Sequence, residues 1–71
     1  MKNELEKLQN EIIEYAHENR EEIAKLRRRD ERRGHLFFEV IGMSKKLGEN
    51  RPSADVLSDM AFKALVAAAL Y

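Results

Sequence analysis

The chain has 71 residues, no cysteine, and 13 basic side chains against 13 acidic ones. A disulfide framework and a thiolate metal site are therefore excluded, and a neutral total argues against holding nucleic acid by bulk charge. A chain this short buries a modest share of its surface and gains from a staple or a partner.

The apolar spacing predicts an all-α protein of three helices, with no period-2 strand pattern. The first helix is expected from about Glu4 to about Arg33, with Asn3 as N-cap and Glu6 at the partner position of a capping box. Leu5, Leu8, Ile12, Ala16, Ile23 and Leu26 form a heptad-like, coiled-coil seam, with Asn19 in its one gap. A helix of that length is a rod of roughly 45 Å. Residues 34–71 look too short to cover it, so the seam is expected to meet a second copy. Residues 1–18 set two lysines against five glutamates, whereas residues 19–33 set seven bases against four acids. Antiparallel pairing lays these opposite signs together. Asn19, near the midpoint, is then placed to fix register at the dyad or, alternatively, to face water.

Gly34 is expected to end or bend this helix. The second helix, about His35 to Leu47, presents Leu36, Val40, Met43 and Leu47, broadened by Phe37 and Ile41. Gly48 is its expected stop, and "GENRPS" is the clearest turn, with Ser53 as N-cap of the third helix and Asp55 in its first turn. The third helix, about Ala54 to near Tyr71, is apolar nearly all round, with Leu57, Met60, Ala61, Ala64, Leu65 and Ala68 on one face. Such a helix is normally buried on several sides, a second reason to expect association. The organisation expected is one structural domain. Its residues 1–33 form the long amphipathic helix and 34–71 a helical hairpin, assembled as a homodimer or larger homo-oligomer. The interface residues would be Leu5, Leu8, Ile12, Ala16, Asn19, Ile23, Leu26, Leu57, Met60 and Leu65.

Arg27, Arg28, Arg29, Arg32 and Arg33 are the sharpest local feature. Arginine is a preferred phosphate donor, which gives a nucleic-acid reading. Cations at a helix C-terminus also complement the macrodipole, i, i+3 pairs with Asp30 and Glu31 are available, and long stems cover apolar surface. The interleaved acids favour this second reading, or pairing with an acidic partner protein. The segment "IGMSKKLGENRPSADVLSDM" resembles a helix-turn-helix. It departs at Glu49, where such motifs bury an apolar residue, and at Asp55 and Asp59 on the would-be recognition helix. An ordinary hairpin is preferred.

His17 and His35 stand alone, in no metal-ligand spacing, and no metal or cofactor is expected. No nucleophile pattern or glycine-rich phosphate loop supports catalysis, and Phe37, Phe38, Met43, Met60 and Phe62 read as core. The N-terminus is acidic and unlike a secretory leader. The apolar tail is shorter than the ~20 residues a spanning helix needs, so a cytoplasmic protein without a membrane segment is expected. The function expected is a non-enzymatic, homo-oligomeric protein-interaction module: an adaptor, regulator or inhibitor. The alternative is a dimeric nucleic-acid-binding regulator using the arginine cluster.

Overall fold

The computed structural model describes residues 3–71. Among them are four α-helices and one 3-10 segment, with no strand: α1 Asn3–Glu18, α2 Arg20–Ala24, α3 Arg29–Ser44, the 3-10 segment Lys45–Asn50, and α4 Ala54–Ala67. The body measures 36 × 18 × 15 Å. α3 runs antiparallel to α1, with Lys46 paired to Glu11. It also runs antiparallel to α4: Arg33 lies beside Ser58 and Phe62, and Arg29, one turn earlier in α3, lies over Tyr71, beyond the far end of α4. α4 is parallel to α1: Gln9 Nε2 donates to the Met60 carbonyl at 3.0 Å and Arg20 to the Ala68 carbonyl at 2.7 Å. The result is an up–down–up bundle.

The long first helix is cut twice. At Asn19 the backbone leaves helical geometry (φ −107°, ψ 22°), and its side-chain Nδ2 and backbone N–H both reach the Tyr15 carbonyl at 2.9 Å. The helix resumes as α2 and then tightens, with Lys25 and Leu26 donating to carbonyls three residues back. Arg28 is extended (φ −100°, ψ 144°), and α3 starts at Arg29. The expected end at Arg33 and restart at His35 are thus corrected: α3 passes straight through Gly34, and His35 lies within it. No glycine or proline marks the break. The carbonyls freed at the break are met by the side chain of Arg32.

The expectation that the seam outruns its cover fails because the rod is bent and shortened. Leu8, Ile12, Ala16 and Ile23 pack in one core with Leu36, Val40, Leu57, Met60, Ala61, Ala64, Leu65, Ala68 and Leu70. Ala16, Ala61, Ala64 and Ala68 are small enough to let the helices approach closely. Each fully buried large side chain contributes ~1.5–3 kcal/mol of transfer free energy, before conformational entropy is set against it.

The hairpin between α3 and α4 follows local chemistry. Gly48 takes φ +58°, ψ −125°, a left-handed conformation that glycine adopts without a Cβ clash. Ser53 caps α4 by accepting a hydrogen bond from the Val56 N–H at 3.4 Å. α4 ends in a Schellman turn. The Leu70 N–H reaches the Leu65 carbonyl at 2.7 Å, the Ala69 N–H reaches that of Val66 at 3.1 Å, and Leu70 and Leu65 are both buried. The left-handed residue here is Ala69 (φ 59°), where glycine is usual.

Candidate interaction surface

The arginine cluster lies at the start of α3, not at the end of a long helix, so the macrodipole of its own helix does not favour it. The tertiary structure uses it differently. Arg32 donates to the carbonyls of Leu26 at 2.7 Å, Leu70 at 3.2 Å and Ala24 at 3.4 Å. These carbonyls lie at or just past the ends of α2 and α4, where helices leave acceptors unsatisfied. One guanidinium therefore closes two helix ends at once, and it acts where a glycine cap would have been sought. Arg33 bonds Ser58 Oγ at 3.1 Å and lies 5.2 Å from the Phe62 ring centroid; Arg29 lies 4.9 Å from that of Tyr71. Phe62 and Tyr71 pack edge to face at 4.8 Å, so the two cations grip an aromatic pair. Arg27 and Arg28 are exposed and have no side-chain hydrogen bond or ion pair among the described residues.

The residues assigned to an intermolecular seam divide unevenly. Leu8, Ile12, Ala16, Ile23, Leu57, Met60 and Leu65 lie in the chain's own core. Leu26 is half-buried at the turn, and Leu5 is 44% exposed. Asn19 is half-buried at the kink, where its amide bonds the Tyr15 carbonyl. On α4 the outward positions Asp55 and Asp59 are exposed, and Asp59 pairs with Lys63 at 3.1 Å. The opposite side of α4 packs against both α1 and α3, so residues 41–60 form an antiparallel hairpin in the bundle.

His17 and His35 are exposed on different helices, and no cluster of metal-ligating groups occurs among the described residues. Among the described residues no helix is long and apolar enough to cross a membrane. Tyr15 is held above its ordinary tyrosine range, first by burial and then by the neighbouring Glu39 carboxylate.

Phe38 departs from the expected core set: it is 75% exposed. Once Leu36 and Val40 are taken as the inward face, helical spacing places Phe38 nearly opposite. The signal was therefore in the sequence, hidden by the doubling Phe37–Phe38, of which Phe37 is the half-buried member. Gly42, four residues after Phe38, is exposed on this outward side, and Gly34, four residues before it, is half-buried at the edge towards α4, beside Arg33, Phe37 and Ser58. A Cβ added at either would meet nothing within 4 Å. Packing inside the chain therefore gives no reason for glycine, although glycine costs a helix interior about 0.5–1 kcal/mol relative to alanine. Glu31, His35 and Lys45 are exposed, and Ile41 is half-buried at the edge facing α4. In comparisons with known proteins, the chain matches no family model, no curated sequence and no solved structure.

Proposed function

We propose that this chain is a small non-enzymatic helical module that works by binding protein, as an adaptor, regulator or inhibitor, and that the outward face of α3 around Phe38 is its contact surface. The observation that carries the reading is a phenylalanine 75% exposed in the middle of a 16-residue helix whose opposite face is fully committed to the core. Aromatic side chains supply much of the binding energy at protein interfaces when a partner desolvates them. Two helix-interior glycines beside it lower the surface and let a partner's backbone approach.

The nucleic-acid reading has a narrower base than the sequence suggests. Three of the five arginines are engaged with α4 and its C-terminal tail, which leaves Arg27 and Arg28. One experiment separates the two readings. Wild type, Phe38→Ser, and a variant carrying Arg27→Ala with Arg28→Ala are each used for affinity capture, and each is titrated with labelled duplex DNA and single-stranded RNA at low salt. The protein-binding reading expects a defined protein partner, self or other, that is lost with Phe38→Ser and kept by the arginine variant. Nucleic-acid affinity that falls steeply with salt and disappears with the arginine variant would replace it with the other.

A further inference from the structure

We infer that the outward face of α3 docks a second copy of this chain, antiparallel, with the twofold axis passing beside Phe38. The inference rests on the protein-binding reading above and names the partner. Residues 31, 34, 38 and 42 of α3, followed by Lys45 at the start of the 3-10 segment, fall on one side of the helix, away from Leu36 and Val40, with Gly34 at the edge nearest α4. The stripe reads the same in both directions from Phe38. Four residues away on either side is a glycine, Gly34 or Gly42; seven residues away on either side is a charge, Glu31 or Lys45. Two copies crossed antiparallel at Phe38 set each Gly34 opposite the partner's Gly42 and each Glu31 opposite the partner's Lys45. A parallel pair sets Glu31 against Glu31 and Lys45 against Lys45.

Three observations favour a second copy over an unrelated occupant. The charge order is self-complementary, as a closed twofold contact requires. Glu31 and Lys45 make no ion pair within the chain among the described residues, as is also true of Lys7 and most of the acids, so both are available to a partner. Both glycines face open space, so their missing Cβ atoms serve no contact inside the chain. They clear room on both sides of Phe38, where its ring can lie against the partner's backbone. A contact made by one 16-residue helix lies at the small end of protein interfaces, so the pairing is reversible, at micromolar concentrations or above.

The test is sedimentation equilibrium from about 5 μM to about 500 μM, a range that spans weak pairing, with circular dichroism to follow the fold. The mass of the wild type is expected to rise from 8.3 kDa towards twice that value. Phe38→Ala, at an exposed site, should keep the helical signal and weaken association by about tenfold or more. Gly34→Ala and Gly42→Ala should each raise the melting temperature of the dilute monomer yet weaken the dimer, opposite signs that a purely structural role does not produce. Glu31→Lys and Lys45→Glu should each weaken association, and the two combined should restore it. That recovery cannot come from a better helix, because the combined swap opposes the helix macrodipole. A mass fixed at 8.3 kDa throughout, an unaffected Phe38→Ala dimer, or a combined swap no better than the single ones overturns the inference. A monomer that nonetheless holds another protein through Phe38 overturns self-docking and keeps the protein-binding reading; a monomer that holds none removes both.

Discussion

The two faces of α3 each mix apolar and charged side chains and meet opposite surroundings. The inward face carries Leu36, Val40 and the fully buried Ser44, whose hydroxyl donates to the Ile41 carbonyl at 2.8 Å. Arg32 and Arg33 extend from that side to α4 and its tail. The outward face carries a large aromatic and two glycines that meet nothing in the chain. Charge and hydrophobicity alone do not tell them apart, since an arginine points in and a phenylalanine points out. What distinguishes the faces is whether each group's contacts are completed within the chain. The inward side closes its hydrogen bonds and fills its volume. The outward side leaves an apolar ring and two bare stretches of backbone open.

The comparison breaks first at Leu36. Leu36→Ala should cost about 2–5 kcal/mol, read from urea denaturation, because it leaves a cavity among α1, α3 and α4. A loss below about 1 kcal/mol would mean that the inward face is not the core. Arg32→Met comes next. It keeps an apolar stem and removes the fork, leaving three carbonyls short of a donor, and should cost about 2 kcal/mol. Amide hydrogen exchange should then quicken first near Leu26 and Leu70, where the two helix ends lose their common cap. On the other face the sign reverses: Gly42→Ala should stabilise the dilute monomer by about 0.5–1 kcal/mol in the same denaturation assay. Phe38→Ala should change the stability of the dilute monomer by about 0.5 kcal/mol or less. A large loss there would show that Phe38 belongs to the fold and not to a contact surface.

Much of the fold was legible because it depends on neighbours in sequence. The inward stripes at Leu8–Ile12–Ala16 and Leu36–Val40 follow from helical periodicity, the Ser53 cap from its hydroxyl before an apolar run, and the turn at Gly48 from glycine's tolerance of positive φ. The first helix was misread for the opposite reason. Nothing in "IAKLRRRDE" breaks a helix locally, and the heptad-like seam runs across the break. Where the chain turns, Arg32, eight residues after Ala24 and 38 before Leu70, donates to carbonyls of both, a contact that no local pattern announces. The candidate surface was half legible. Phe38 lies off the stripe set by Leu36 and Val40, but a doubled phenylalanine reads as core until one of the pair is seen to lack neighbours.

By itself the sequence determined that the chain is helical and which stripes, such as Leu8–Ile12–Ala16 and Leu36–Val40, are to be buried, because both follow from i, i+3 and i+4 spacing of side chains that water disfavours. Only the tertiary structure decided where the first helix stops, what the arginines do, and which apolar groups remain outside. Those outcomes depend on hydrogen-bond acceptors and packing volume contributed by distant segments, and a pattern confined to near neighbours carries no record of them.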